Sequence, residues 1–432
     1  MPGPAGFERA LFHGADAAPP WPSRHSLASA TLPPLLRPGA ELSVLDISEY
    51  FGETSGGVRT YLVHKARYVE SRPGLRHAIV VPGAQDALTQ ATGVRCYRLR
   101  GPSVPTRKPY RFMLATRSTQ RILQHERPDL VEIGSAWLAP WIARKALRDG
   151  ATPAVWFYHD NFPRVVAPHA NHRTPGRWTR AGAAWRYARF VSRFCQATLV
   201  TTDFIADELE HHGVERVVRV SLGVDLERYH PDRRLDRAQT RKLHGLPEGP
   251  LALVVGRFAP EKRIDLVLDA WPAIARRTGA RLALVGTGPL ERELRCRAGA
   301  ARAHWLPFES DRDRLADLIA AVDVVISASD TETFGLAALE ALACGTPVVS
   351  ADMGGVAEHV TRSGGGALFL SGDVGALADA VTGVLLGDPT SLGARGRVYA
   401  ERHHDWPTVL DGIFNVYRDI LRNQCSSSRF TM

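Results

Sequence analysis

The chain has 432 residues, 44% of them apolar, and carries 54 Lys plus Arg against 45 Asp plus Glu, a formal net charge of +9. That length accommodates two domains of ordinary size, and that apolar content excludes global disorder. The positive balance suits anionic ligands such as nucleotides, phosphates, acidic lipid head groups or nucleic acid, without choosing among them.

Residues 1–40 are rich in Pro, Ala and Gly, show no clear period, and read as a disordered leader. Order begins at the apolar run Leu42–Ile47, followed by a glycine pair and a helical stretch. Ala78–Val81, Leu130–Ile133, Val155–Tyr158 and Leu199–Thr202 read as further buried strands, with helical segments such as Phe112–His125 and Leu138–Arg148 between them. The charged stretch Asp225–Gly249, punctuated by Pro231, Gly245 and Pro247, breaks the series. A second series follows. Its strands are Leu251–Val255, Arg281–Val285, Val322–Ile326 and Val348–Ser350; its helices are about Lys262–Arg277, Leu290–Ala298, Arg312–Ala321 and Leu336–Ala343. Strands alternating with helices imply a parallel sheet covered on both faces. Two such series imply an α/β protein of two Rossmann-like, doubly wound domains, residues 41–225 and 226–400, facing a central cleft that is the default ligand site. Residues 401–432 read as a helix, about Pro407–Leu421, packing back toward the first domain, and a loose tail.

Cys96, Cys195, Cys296, Cys344 and Cys425 are odd in number and scattered, with no C-x-x-C or His/Cys cluster. Neither a disulfide framework nor a zinc site is expected, and a reducing cytoplasm fits best. No apolar run reaches membrane-spanning length and no secretory signal is expected.

The chemistry-bearing residues gather at strand ends. Gly256, Arg257 and Lys262 follow Leu251–Val255, where helix N-termini favour anions; the pair of cations suits a pyrophosphate, or else the segment is a solvated basic loop. Gly286-Thr287-Gly288-Pro289 ends the next strand, as a close backbone approach to a ligand or a plain strand-to-helix turn. Glu332 precedes a helix beginning near Phe334, and Glu340 lies two turns along near its apolar face, where a carboxylate needs hydrogen-bond donors. Sugar hydroxyls are natural donors; a cap for Glu332 and a salt bridge for Glu340 are the alternatives. In the first domain Gly56 and Gly57 open a helix whose amides suit phosphates, and His159 follows a strand end, either to meet a sugar hydroxyl or to serve the fold. Asp311-Arg312-Asp313 is a D-x-D that reads better as a helix cap than as a metal site.

From Arg164 to Arg193 lie seven arginines (164, 173, 177, 180, 186, 189 and 193) with no Asp or Glu among them. Trp178, Trp185, Tyr187, Phe190 and Phe194 are interleaved. Such a segment suits an anionic membrane or a phosphorylated lipid, or else is a core-packed helix with a solvated basic edge.

Together these residues resemble glycosyltransferase family 4, the retaining family with the GT-B fold, over about Ser48 to Ala380. Gly256-Arg257 with Lys262 resembles its phosphate-binding segment, Glu332 and Glu340 its E-x7-E signature, Gly354-Gly355 with Glu358 its later loop, and Ser221-Leu222-Gly223-Val224-Asp225 its interdomain segment. Leu222, Ala328 and Thr333 depart from the family's usual asparagine, proline and glycine. The resemblance implies that Arg257 and Lys262 neutralise a leaving diphosphate and that Glu340 holds the ribose. It implies that Glu332, with the amides around Phe334, Gly335 and Leu336, holds the donor sugar. Gly256 and Gly288 would approach the donor, Gly56 and Gly57 would close on its phosphates, and His159 would contact the sugar near the reacting carbon.

The implied activity is retaining hexosyl transfer from a nucleotide-diphosphate sugar to a glycan or lipid-linked acceptor, as in cell-envelope polysaccharide synthesis. GDP-mannose is favoured slightly over UDP-glucose by likeness to bacterial mannosyltransferases. No metal or other cofactor is expected. The expected location is cytoplasmic, with peripheral contact at the inner face of the plasma membrane. A catalytically silent carbohydrate- or nucleotide-binding GT-B scaffold, and a GT-B enzyme acting on a sugar phosphate, remain as alternatives. Nucleic acid is not an expected partner, since no recognised motif for it is present.

Overall fold

The computed structural model describes residues 35, 40–52, 56–105, 110–147, 152–166, 180–298 and 303–428. The leader expected over 1–40 lies outside these apart from Leu35 and Ala40. The chain forms two compact units: Met1–Val200 with Glu208–Val220 and Leu410–Met432, and Thr201–Asp207 with Ser221–Val409.

The first unit is built on strands β1 (Leu42–Ile47), β2 (Leu75–Gly83), β3 (Ala87–Ala91), β4 (Val94–Arg100), β5 (Leu130–Ile133), β6 (Ala154–Phe157), β7 (Ala197–Val200) and β8 (Val217–Arg219). Their order in the sheet is β3-β4-β2-β1-β5-β6-β7-β8. Every pairing is parallel except β3 with β4, an antiparallel edge the sequence pattern did not reveal. Strands β1, β5, β6 and β7 are buried along their whole length, as expected where helices cover both faces.

Two acids, Asp46 and Glu132, are nevertheless buried in these central strands. Lys65, fully buried on the helix Gly57–Glu70, answers both: its Nζ lies 2.8 Å from Asp46 and 3.1 Å from Glu132. His77 approaches Asp46 at 2.9 Å, and Tyr61 and Tyr417 donate to Glu132. Tyr417 belongs to the helix Trp406–Ser428, which from Leu410 onward is part of this unit.

The second unit is a six-stranded, fully parallel sheet. It comprises β9 (Leu251–Val255), β10 (Arg281–Val285), β11 (His304–Leu306), β12 (Val324–Ser327), β13 (Val348–Ala351) and β14 (Gly366–Phe369), ordered β11-β10-β9-β12-β13-β14. Its core joins Trp271 and Ile274 of the helix Ile264–Thr278 to Leu282 and Leu284 of β10 and Leu377 and Val381 of the helix Val374–Leu386. Truncating a side chain such as Trp271 in such a core costs about 3–5 kcal/mol.

The expected boundaries shift where local chemistry intervenes. The helix after β9 begins at Ile264, not Lys262, because Pro260–Lys262 forms a tight turn and Arg263 takes φ 48°. β12 starts at Val324 rather than Val322, because Val322 leaves the preceding helix and Asp323 binds the Leu251 amide at 2.9 Å. The helix expected from Phe112 begins at Thr116.

Candidate active site

In the second unit the loops after β9 and β10 lie against each other. Phe258 N donates to Thr287 O at 3.0 Å, and Leu290 N to Phe258 O at 3.0 Å. A Cβ on Gly286 would stand 2.0 Å from Gly256 O, and one on Gly288 2.3 Å from Phe258 O. Close backbone packing therefore accounts for both glycines. This zipped pair of loops presents Arg257 to solvent, with no ion pair to any described residue. Lys262 turns the other way and donates to a Glu332 carboxylate oxygen. Burial works to lower the Lys262 pKa, but Glu332 beside it holds the ammonium above its ordinary value.

Glu332 is fixed through its backbone. Gly355 N donates to Glu332 O at 2.7 Å, and Thr202 Oγ1 to the neighbouring Thr333 O at 2.9 Å. Gly335 caps the helix Leu336–Ala343 with φ 87°, which sets its start at Leu336, the bound expected for the second series, two residues after Phe334. The Phe334 ring is buried edge-on to His359, 4.6 Å between centroids, so only its backbone remains for a ligand. Glu340 is buried at 4% exposure, and its carboxylate accepts no hydrogen bond from a described residue; the Tyr229 hydroxyl faces it from outside bonding geometry. Burial pushes its pKa up, and Arg312, 3.6 Å away, counters. Of the later loop, Glu358 accepts from Asp203 N at 2.8 Å and pairs with Arg362 at 2.9 Å, so it anchors the helix Asp203–His211.

In the first unit, Gly56 and Gly57 are exposed at the start of the helix Gly57–Glu70, with open space around both. Among the described residues that helix has no side-chain cap, and its first turn holds no acid, a combination that favours an anion at its amides. His159 follows β6, stacked on Phe157 at 4.1 Å and tilted against Tyr61 at 5.3 Å. Burial drives its pKa down to about 3, so the imidazole is neutral at physiological pH.

The D-x-D is a cap: Asp311 accepts from Asp313 N at 2.9 Å and Arg314 N at 3.3 Å. Among the described residues no group of His, Cys, Asp and Glu is arranged to hold a metal ion, and no helix is long and apolar enough to cross a membrane. The basic segment divides. Arg173, Arg177 and Trp178 lie outside the described residues. Arg164 pairs with Glu208 and Arg189 donates to His212 O, while Arg180, Arg186 and Arg193 are exposed. Trp185 is buried against His212, whereas Tyr187 and Phe190 gather around Trp141, itself 48% exposed. Arg312 and Tyr229 were not legible as site residues, since only folding brings them to Glu340.

Residues 55–228 match the model of Glycosyltransferase Family 4, and residues 236–398 that of Glycosyl transferases group 1. The chain is also 32% identical, over 327 residues, to the GDP-mannose-dependent alpha-(1-6)-phosphatidylinositol dimannoside mannosyltransferase of Mycobacterium tuberculosis, covering 75% of this chain and 83% of that relative. The chain belongs to glycosyltransferase family 4.

Another relative, the D-inositol 3-phosphate glycosyltransferase of Saccharomonospora viridis, is 29% identical over 430 residues, 93% of this chain and 95% of its own. Among solved structures, sucrose-phosphate synthase from Thermosynechococcus elongatus matches with a TM-score of 0.72 at 21% identity, over 88% of this chain and 100% of that one. Anabaena HepE, solved in complex with UDP and glucose, matches with a TM-score of 0.68 at 19% identity, over 88% and 100%. These two likenesses establish the GT-B fold. The family 4 enzyme described here is thus a hexosyltransferase that uses a nucleotide sugar, built on two parallel-sheet α/β units.

Proposed function

We propose that this enzyme is a retaining transferase that moves mannose from GDP-mannose to a glycan or lipid-linked acceptor of cell-envelope polysaccharide synthesis, without a metal. Glu340 carries the reading. A carboxylate so buried, accepting no hydrogen bond from a described residue, is costly unless a ligand supplies a donor, and the two ribose hydroxyls of a nucleotide do so. Arg257 and Lys262 neutralise the diphosphate, where the negative charge of such a transfer develops. Glu332, with the amides from Phe334 to Leu336, takes the sugar hydroxyls. Gly256 and Gly288 allow close approach of the backbone. In the first unit the amides at Gly56 and Gly57 bind an anionic group, and neutral His159 meets a hydroxyl.

The bond from the anomeric carbon to the diphosphate oxygen breaks. The acceptor oxygen bonds that carbon on the same face, and the acceptor proton passes to the departing phosphate oxygen. Nucleoside diphosphate and glycoside are the products. The donor preference draws on the mannosyltransferase of Mycobacterium tuberculosis. Exposed Arg180, Arg186 and Arg193, on the helix Arg180–Phe194 whose Tyr187 stacks on Trp141, suit a peripheral contact with an anionic membrane on the cytoplasmic side.

Melting temperature in the presence of GDP, UDP and ADP tests the donor. GDP at one hundred times its Kd should stabilise the fold by about 2.7 kcal/mol. A larger shift with UDP overturns the assignment, and so does a product of inverted anomeric configuration or activity that disappears with a chelator and returns with manganese. Failure to sediment with anionic vesicles at low salt removes the membrane contact.

A further inference from the structure

The Glu340 carboxylate is held mainly by charge. Arg312 Nη1 stands 3.6 Å from Oε1, beyond hydrogen-bond distance, so the guanidinium supplies a positive field while leaving the carboxylate lone pairs open. Arg228 is the other cation in the neighbourhood, and it is committed elsewhere. It pairs with Asp225 at 2.9 Å and with Asp313 at 3.3 Å, and Asp313 is gripped again by Arg233 at 2.8 Å. The charged and titratable groups acting on Glu340 are therefore Arg312, Arg228, Asp225, Tyr229 and, at the end of its own helix, Cys344. Of these, Arg312 alone both carries positive charge and stands in an ion pair with Glu340. Its backbone is fixed: it is the first residue of the helix Arg312–Ala321, whose cap is Asp311. About a third of its side chain is exposed, so it lies on the solvent edge of a carboxylate that is itself covered.

We propose that Arg312 is a positioning residue for the nucleoside half of the donor, keeping Glu340 ionised and its two oxygens open for the 2′- and 3′-hydroxyls of the ribose. The proposal rests on the reading of Glu340 as the ribose ligand. Without Arg312, Glu340 takes up a proton at higher pH. The protonated acid has one oxygen as a donor and reads the diol poorly. A lysine at the same place restores the charge but not the planar fork.

Equilibrium binding of GDP and UDP, each beside its 2′,3′-dideoxy form, tests this across pH 5–9 in the full chain and in Arg312→Ala, Arg312→Lys and Glu340→Gln. The unaltered enzyme should favour the ribose form by about tenfold or more. Arg312→Ala should lose most of that preference at the acid end of the range and regain it as pH rises, with the acid limb of ribose-form binding moved up by about one pH unit. Arg312→Lys should keep both nearly intact. A general loosening of the fold would weaken both forms equally and leave the preference standing, which overturns the proposal. If Glu340→Gln removes the preference while Arg312→Ala retains it, the role of Arg312 is refuted and the ribose reading survives. If Glu340→Gln retains it, or if neither nucleotide binds, the ribose reading falls and this proposal with it.

Discussion

Lys262 donates to Glu332 across 70 positions of sequence, so a cation suited to phosphate and an acid suited to hydroxyls neutralise one another. On the proposed function, an entering diphosphate would take the place of Glu332 as the counterion of Lys262, and that exchange would release the carboxylate for the sugar. Glu332→Gln removes the competitor. Its diphosphate binding should tighten by a few fold while transfer falls by roughly 10²–10³. Lys262→Met should lose both. Calorimetry with GDP and initial rates separate the two variants. Equal weakening of GDP binding in both would show that the pair does not compete.

His159, neutral down to about pH 3, cannot account for a change of rate near neutrality. The pH profiles of the enzyme and of His159→Ala should therefore have the same shape between pH 5 and 8, with the variant about tenfold slower for the loss of one hydrogen bond. An inflection near pH 6.5 that vanishes in the variant would mean the ring is charged during turnover.

Stability should decline as pH rises through neutrality. Burial, followed by the neighbouring Asp46, pushes the Glu132 pKa up to about 7 from an ordinary 4.5. The folded state thus holds a proton that the unfolded chain has released. The stabilisation is complete below about pH 4.5 and lost as pH climbs past 7. Asp46 acts in the opposite sense: against burial, Lys65 and His77 hold its pKa down, so its contribution fades in acid. Urea midpoints from pH 5 to 9 should fall for the natural chain and stay flatter for Glu132→Gln. A midpoint that climbs steadily over that range refutes the assignment.

Two glycines should respond in opposite directions to alanine. At Gly335 the backbone is left-handed, and a Cβ would stand 2.2 Å from Val356 Cγ2. Gly335→Ala should cost at least about 1–3 kcal/mol and disturb the segment carrying Glu332. Gly383 lies inside the helix Val374–Leu386 with open space around it, so Gly383→Ala should add about 0.5–1 kcal/mol. Urea titration of both reads the contrast directly, and stabilisation at Gly335 would contradict the described turn.

The central strands were legible because both faces are covered, which forces continuous apolar runs such as Leu251–Val255 and Leu130–Ile133. Strands near the sheet edge carry no such signature. β4, which lies between the edge strand β3 and β2, mixes arginines among apolar residues, and Arg95 is buried there through its pair with Glu126, against what its charge suggests. The residues proposed for the phosphate side stood out as candidates from type and spacing, since they sit at a strand end within one short stretch. The partners of those residues did not. Arg312 meets Glu340, and Lys65 meets Asp46 and Glu132, only after helices and strands distant in sequence have packed. Periodicity records which way a side chain faces, not which charge waits on the other side.

The Tyr417 hydroxyl oxygen accepts from Lys65 Nζ at 3.0 Å, and so the first unit contains a piece of chain made after the whole of the second. On the ribosome, which adds about 5–20 residues per second, the early sheet emerges with its ammonium and carboxylates waiting for that hydroxyl. The part synthesised first is therefore the part whose native structure is finished last, and nascent chains halted before residue 410 should expose that sheet to protease while leaving the later unit resistant.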